Sequence, residues 1–252
     1  MPEAIQELRG RRYSGDLYGR KFGSSDTFQK LGNVSALSFS KDNSSDDLTS
    51  TGKYDYGQAL DSVTKPGATK IKLEFNTFDR LGLARMLMGE AVDLPTAPQT
   101  VSDEAHTAAL DGWIALEKSD IDPTGFTIKS GSGAGTPVPA DHYEVNYRMG
   151  MFRFTSKATV SKGDELKVSY KTKGSKGYQI DADTLQRLDL ELRLDGRDRI
   201  TGKDGELNIY HGVLQSDGNQ DWMSDDWWKA GLSGTAIKPA DKPSAYRFTQ
   251  YD

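Results

Sequence analysis

Residues able to support catalysis are few in this sequence and poorly arranged for it. The chain has three histidines, none in a metal-like pair or near an obvious nucleophile: His106, His142 and His211. A glycoside hydrolase needs only two carboxylates around one bond. The best-aligned carboxylates alternate along one segment that also carries arginines: Asp189, Glu191 and Asp195. That pattern is typical of a solvated sheet face, so we expect neither an enzyme nor a metal or cofactor site.

Three other stretches resemble ligand sites only in part. The segment "DGNQDW" begins like a calcium loop at Asp217, but Trp228 stands where the bidentate glutamate belongs. The glycine-rich "GSGAG" is followed by Pro137 and Pro139 rather than by a helix that could face phosphate, so we expect a hairpin loop. Three tryptophans suit either a sugar-stacking platform or a subunit interface: Trp222, Trp227 and Trp228.

The composition narrows the remaining classes. Lys and Arg number 32 against 37 Asp and Glu, a net charge of -5, which argues against a dedicated nucleic-acid binder because such proteins neutralise phosphates. The absence of cysteine excludes disulfides and thiolate metal sites. The first residues contain no apolar signal segment, and no run reaches the ~18 apolar residues that span a membrane. We expect a protein made in a cytoplasm, with no membrane partner.

The elements that would position these residues begin after a polar arm, residues 1–30, which we expect to be loosely ordered alone. Leu37 and Phe39 share one face of a strand in "LGNVSALSFSKD". Residues 41–68 are polar and rich in turn residues, and they predict a long loop of the kind that is functional or disordered. In "KIKLEFNTF" alternation predicts a half-buried strand whose apolar side is Ile71, Leu73 and Phe75.

The next segment, "DRLGLARMLMG", changes to a helical period. Asp79 predicts the amino-terminal cap and Gly89 the carboxyl-terminal end of a short flanking helix. One face of that helix is expected to carry the apolar side chains Leu81, Ala84, Leu87 and Met88.

A change in the spacing of turns and strands then predicts an inserted module at residues 93–177. An extended connection containing prolines leads in, and "KGSKG" at 173–177 leads out. Between Trp113 and Tyr170 turns recur at short intervals, with alternating strands such as Tyr143–Tyr147 and Leu166–Tyr170. Short strands at this spacing predict a small, Ig-like β-sandwich.

Residues 178–252 are expected to complete the main domain begun at 31–92. In "LDLELRLDG" four leucines alternate strictly with charged residues: Leu188, Leu190, Leu192 and Leu194. This predicts a strand whose leucines are buried while Asp189, Glu191 and Asp195 face water. Further strands are expected in "ELNIYHGVLQ", "DWWKAGLSGTAIKP" and "AYRFTQYD". The fold class is therefore mainly β: a β-sandwich with one short flanking helix and an inserted β module.

The order of these elements resembles a bacteriophage tail tube protein, the major tail protein of long-tailed, siphovirus-like phages. The resemblance covers most of residues 31–252 and depends on patterns: "GNVS" before a strand, the strand-to-helix unit ending in "MG", and "LDGRD" before a hairpin. The inserted module departs from the minimal tube fold. The resemblance implies two packed sheets with a flanking helix, and six-membered rings that stack into a hollow tube through which DNA passes.

The same resemblance implies the sites and partners. Sheets of neighbouring subunits would join around a lumen, with Asp189, Glu191 and Asp195 as candidates to face it. An acidic surplus suits that lumen because it repels phosphate. The long loop would bridge to the next ring, and its candidate contacts are Asp46, Asp47, Tyr54 and Tyr56. The interface candidates are Trp222, Trp227 and Trp228. The partners implied are further copies of the chain, the tape measure and tail terminator proteins and transiting viral DNA. The location implied is the virion tail.

Two other classes remain open from the sequence. One is a carbohydrate-binding β-sandwich that uses the tryptophans as its platform. The other is a different ring-forming virion protein, either a tail terminator or a capsid decoration protein.

Overall fold

The computed structural model describes residues 9–251 and divides the chain into two compact units. The first unit ends at Ala91 and resumes at Ile180, and the second unit is Val92–Gln179. Both are built mainly of strands. None of the helices within the described range has the length and apolarity that crossing a membrane requires.

The first unit contains most of the strands. Its first part has β1 (Tyr13–Lys21), β2 (Gln29–Lys30), β3 (Val34–Lys41), β4 (Ser44–Thr49), β5 (Ala59–Lys65), β6 (Thr69–Phe75) and α1 (Arg80–Met86). After β7 (Glu90–Asp93) the chain enters the second unit. That unit has β8 (Thr100–Thr107), β9 (Ile114–Ala115), β10 (Ile121–Ser130), β11 (Thr136–Pro137), a 3₁₀ turn (Ala140–His142), β12 (Tyr143–Asn146), β13 (Met151–Phe154) and β14 (Glu165–Thr172). The chain returns through β15 (Tyr178–Asp181), which pairs with β7, into β16 (Leu188–Asp198), β17 (Asp204–Asp217), β18 (Ala230–Ala236) and β19 (Tyr246–Gln250).

One eight-stranded antiparallel sheet dominates the first unit. Its order is β2-β1-β16-β17-β18-β6-β3, and β19 pairs with the first half of the long strand β17. The register between β16 and β17 shifts between Leu190 and Leu192. Phe39 of β3 stacks on Tyr246 of β19 at 4.8 Å although these two strands are not paired, so the sheet folds back on itself. A single continuous, folded sheet therefore takes the place of the two packed sheets that the resemblance implied.

The alternating strand β16 lies inside this sheet, between β1 and β17. The prediction that its leucines are buried is confirmed for Leu188, Leu190 and Leu192. Leu194 is only half-buried. The same apolar face continues on β6 through Ile71, Leu73 and Phe75, all of which are buried as predicted. Burial of this face is the main source of stability of the unit, because apolar area removed from water contributes about 25 cal/mol per Å².

The expectation of a loosely ordered arm at residues 1–30 is wrong for the part that can be described. β1 pairs with β16 along its whole length, from Tyr13 opposite Asp198 to Lys21 opposite Leu190. Leu17 is buried in the core beneath it. The sequence hid this strand because its inward positions alternate between apolar residues and glycine, so no run of apolar side chains marks the period. Residues 1–8 lie outside the described residues.

The helix α1 forms where the sequence predicts it, but with a different buried face. The Asp79 side chain accepts a hydrogen bond from the Gly82 amide at 2.6 Å, as a cap should. Ala84, Met86 and Met88 are buried, whereas Leu81 is exposed.

The end of the helix differs from the expectation as well. Met88, not Gly89, adopts the left-handed conformation with φ 51°. The Gly89 amide donates to the Ala84 carbonyl at 2.9 Å and the Met88 amide to the Arg85 carbonyl at 3.1 Å, which is a Schellman motif. A side chain on Gly89 would collide with the Asp181 carbonyl, so glycine serves there for close approach of two backbones.

The segment expected to be a long loop at 41–68 is instead a β-hairpin. β4 and β5 pair from Ser44 opposite Lys65 to Thr49 opposite Ala59. Every residue of both strands is exposed. Because the hairpin has no apolar core, its strands leave no periodic signal in the sequence.

The second unit has its own core between two sheets, one ordered β11-β10-β14-β8 and the other β12-β13-β9. Phe152, Val168 and Tyr170 are among its buried residues. The strands expected around Tyr143 and Leu166 are present as β12 and β14. The entering segment is not extended connection throughout, as the sequence suggested, because residues 100–107 form β8 and pair with β14.

Candidate functional site: exposed surfaces of the first unit

The polar face of the eight-stranded sheet places charged residues side by side across strands. Asp195 on β16 stands opposite Asp16 on β1 and opposite Glu206 on β17, so three carboxylates form one row. Like charges at directly opposed positions destabilise a sheet. Lys30 offsets part of this cost through an ion pair with Asp16 at 2.7 Å. Repulsion within this row lowers the stability of the sheet, and the row gives the face a local negative potential.

The three carboxylates predicted to face water differ in their surroundings. Asp195 is exposed. Glu191 is only half-exposed and accepts hydrogen bonds from Arg20 Nε at 2.8 Å and Arg20 Nη2 at 2.7 Å. Asp189 accepts from His211 Nε2 at 2.8 Å. Asp189 and Glu191 are therefore only partly exposed, and each is bonded to a side chain of a neighbouring strand.

The Asp189 contact has an electrostatic consequence. The hydrogen bond from His211, helped by the charge of Arg187, holds the pKa of the Asp189 carboxyl below its usual value against a smaller opposing effect of burial. The imidazole also stacks on Phe22, with ring centroids 3.8 Å apart and nearly parallel planes. This cluster leaves no signal in the sequence, because its members come from three distant segments.

The hairpin β4–β5 exposes apolar and aromatic side chains. Tyr54 and Tyr56 at its tip are 92% and 80% exposed. Leu48, Leu60 and Val63 on its strands are also exposed. Asp46 is paired with Lys65 at 3.3 Å and Asp47 accepts a hydrogen bond from Ser62, so these two predicted contacts help hold the hairpin together. The tyrosines are the members of the predicted set that are free to meet a partner.

The three tryptophans of the segment before β18 differ in their surroundings. Trp228 stacks against Phe78 at 4.8 Å and against Trp222 at 4.9 Å, with the two indole planes tilted by 44°. Trp227 is 88% exposed and lies apart from both. The three tryptophans therefore do not form one flat platform of coplanar rings, while Trp222 and Trp227 still expose large apolar surfaces.

An apolar cleft was missed by sequence reasoning. It has a volume of about 760 Å³ and lies in the first unit between β3, β1 and the β17–β19 pair. Its walls include Leu37, Phe39, Leu207, Tyr246 and Phe248. The alternation of these strands does predict an apolar inward face. It does not reveal that no described element covers this end of the core.

The second unit contains one buried polar network. The Glu104 carboxylate accepts from Tyr170 Oη at 2.6 Å, is 2.8 Å from His106 Nε2 and accepts from the Glu117 amide at 2.9 Å. Burial raises the pKa of Glu104, but these hydrogen bonds outweigh it and hold the pKa below its ordinary value. Burial and the bond to Glu104 raise the pKa of Tyr170. The network joins β8 to β14 and fits a structural role.

Nothing in the described part of the chain assembles metal-binding donors. Within residues 9–251 there is no group of three or more His, Asp or Glu side chains that could hold an ion. His211 and His106 are each bonded to one carboxylate, and His142 lies 3.9 Å from Asp141.

A family model covers both units of the chain. The family described as "Protein of unknown function UCP028589" matches residues 12–251. The chain belongs to this family. A search of curated proteins finds no match. Membership of the family carries no activity with it, so the functional conclusion depends on the surfaces described above.

Proposed function

We propose that this member of the family is a bacteriophage tail tube protein, a structural virion protein rather than an enzyme. In this proposal copies of the chain form hexameric rings, and the rings stack into the hollow tube of the phage tail. The resemblance in element order suggested this assembly, and the exposed surfaces of the first unit support it physically.

The observation that carries the proposal is the hairpin β4–β5. A two-stranded hairpin without further packing is marginally stable in water. This one buries none of its strand residues and exposes apolar side chains such as Leu48, Val63 and Tyr54. Ordering its backbone costs about 1–2 kcal/mol per residue. An element with that cost and no core of its own is accounted for by contacts with another chain.

The edge of the main sheet supports lateral association. β3 ends the sheet and, among the described residues, pairs only with β6. Its eight residues contain no proline, and Lys41 at its end is its one charged residue. Unprotected edges of this kind template pairing with another chain unless they are blocked by charge, proline or a covering element. Joining sheets around a ring removes such edges.

The polar face of the sheet supports a lumen for DNA. The row of Asp16, Asp195 and Glu206 gives this face acidic groups where a tube must not bind phosphate. Cationic contacts would add affinity through counterion release and slow transit. The arginines on the same face are partly neutralised: Arg20 pairs with Glu191, and Arg193 lies 3.4 Å from the same carboxylate.

The partners follow from the proposal. They are further copies of the chain, the tape measure protein inside the growing tube and the tail terminator at its end, with viral DNA in transit. The chain would be made in the host bacterium and function in the virion.

A carbohydrate-binding module is the second candidate, because Trp222 and Trp227 are exposed. The 44° tilt between Trp222 and Trp228 weakens it, since sugar stacking needs an accessible flat ring surface. A tail terminator or capsid decoration protein would share the rings but not the tubes.

Electron microscopy of the purified protein at increasing concentration separates these functions. A tail tube protein forms rings that stack into tubes of constant width. A terminator or decoration protein forms rings that do not lengthen. A sugar-binding module stays a single particle and binds glycans on an array, a result that would refute the proposal.

A further inference from the structure

The apolar cleft of the first unit is an unfilled part of the core. Its walls carry side chains of the inward sheet face, including Leu194, Leu207 and Phe39, which are only partly buried where Leu192 and Ile209 further along are fully buried. Phe248 at the cleft is 48% exposed. A volume of about 760 Å³ would hold several side chains. Apolar area left in water forgoes about 25 cal/mol per Å², so an apolar occupant is favoured.

The hairpin tip offers matching chemistry. Tyr54 and Tyr56 are the most exposed aromatic residues of the hairpin and would meet aromatic walls formed by Tyr13, Tyr246 and Phe248. Tyrosine is enriched among the residues that dominate interfaces, because a rigid ring buries much area at small entropic cost.

Charge is complementary as well. Arg11 is the one charged residue among those that line the cleft in the described chain. The hairpin from 44 to 65 carries four aspartates against two lysines. Arg11 is exposed, and its guanidinium reaches Gln250 and Tyr13 at the rim, which keeps the positive charge beside the opening.

In the structure the hairpin does not enter the cleft of its own subunit. β4 and β5 continue the chain of β3 and β6 beyond Lys41 and Thr69, the last pair of those strands. None of the residues that line the cleft comes from the hairpin, and Tyr54 and Tyr56 at its tip are 92% and 80% exposed. The cleft is lined by the preceding residues of β3, Val34–Phe39. A hairpin that fills such a cleft would therefore come from another copy, in a head-to-tail contact that repeats without closing on itself.

We propose that the tip of the β4–β5 hairpin of one subunit docks in the apolar cleft of a second copy. The tyrosines enter between β3 and β19, and Arg11 at the rim meets the acidic strands of the hairpin. This contact rests on the proposed function, since it supplies the longitudinal step between stacked rings, but it specifies which surfaces meet.

The test uses three variants of the full chain, one that damages the hairpin and two that damage the cleft. Tyr54→Ser with Tyr56→Ser removes the anchors and leaves the cleft intact. Phe248→Asp places a like charge in the cleft and leaves the hairpin intact. Arg11→Glu is a second cleft variant, at an exposed position where folding is not at risk. The matched control for the tyrosine variant is Tyr54→Phe with Tyr56→Phe, which keeps both aromatic rings.

Two further controls change surface groups outside the cleft. Ile237→Asp adds the same charge at an exposed apolar residue, and Lys238→Glu reverses an exposed charge. Folding of every variant is checked by circular dichroism and melting, and assembly is followed by sedimentation velocity over a concentration series.

Each damaging variant should raise the protein concentration needed for longitudinal assembly at least about tenfold, while the controls should assemble at concentrations near that of wild type. Mixing the tyrosine variant with a cleft variant should give pairs, because one still offers a cleft and the other a hairpin, and the pairs should not grow. The inference would be overturned if the damaging variants assembled as wild type does, or if folded variants formed no pairs when mixed. Either result would leave the proposed function standing. A wild-type chain that never assembles would refute both.

Discussion

Replacement of Leu192 by alanine should destabilise the free subunit strongly, and the same change at Leu194 should not. Leu192 is 0% exposed and lies at the centre of β16, with Gly19 of β1 and Ile209 of β17 as its neighbours across the sheet. Leu→Ala at a site of this kind costs about 2–5 kcal/mol, because it loses transfer free energy and leaves a cavity. For a unit of this size that lowers the melting temperature by about 4–20 °C.

Leu194 is the matched control because it is on the same strand and the same face. It lines the open cleft, so its removal enlarges a space that already exists and exposes little new apolar wall. We expect a cost of about 1–2 kcal/mol in the free subunit. If the cleft is filled by another copy, Leu194→Ala should lower assembly more than it lowers the melting temperature.

Differential scanning calorimetry of both variants, at a concentration where the chain is unassembled, measures the two costs. The reasoning fails if Leu194→Ala destabilises as much as Leu192→Ala, since the cleft would then be closed core. It also fails if Leu192→Ala is neutral, because the leucines of β16 would not be the inward face.

Four other outcomes are expected. Asp189 has a lowered pKa, so its carboxylate stabilises the fold at pH values above the unfolded-state pKa near 4, and this contribution is lost as the pH falls through the folded-state pKa. Asp189→Asn should therefore be less stable at neutral pH, and its stability should fall less steeply below about pH 4, as measured by acid denaturation followed by fluorescence. Limited proteolysis should cut residues 50–58 in the free chain and not in assemblies. Deleting residues 94–177, with β7 and β15 joined by a Gly-Ser linker, should leave a cooperatively melting β protein. Asp195→Lys should raise stability by up to about 1 kcal/mol, because it removes the like charge between Asp16 and Glu206, but should slow DNA ejection at low salt, with recovery at high salt.

The sequence predicted those elements whose side chains repeat a period against a core. The strand β16 is the best example, because four leucines alternate without interruption and the first three are buried. β1 escaped prediction for the opposite reason: Gly15 and Gly19 occupy two of its inward positions, so its alternation carries little apolar signal. The buried face of α1 was assigned partly wrongly, since Met86 rather than Leu81 turns to the core.

The candidate surfaces were harder to predict than the strands. Exposure of Tyr54 and Tyr56 follows from a polar segment, but the pairing of β4 with β5 does not, since nothing in it is buried. The hydrogen bonds of Asp189 and Glu191 depend on His211 and Arg20, which the fold brings from distant segments. The cleft is a property of how β3 and β19 meet, and alternation within a strand contains no information about that meeting.

Electron microscopy of the full-length protein across a concentration series tests the central claim most directly. The account predicts rings at low concentration and, as the concentration increases, hollow tubes of uniform width built from stacked rings. In the tubes the 50–58 segment should be protected from protease, which can be read on the same samples. Single particles of one chain at every concentration, with the hairpin cut at the same rate throughout, would contradict it.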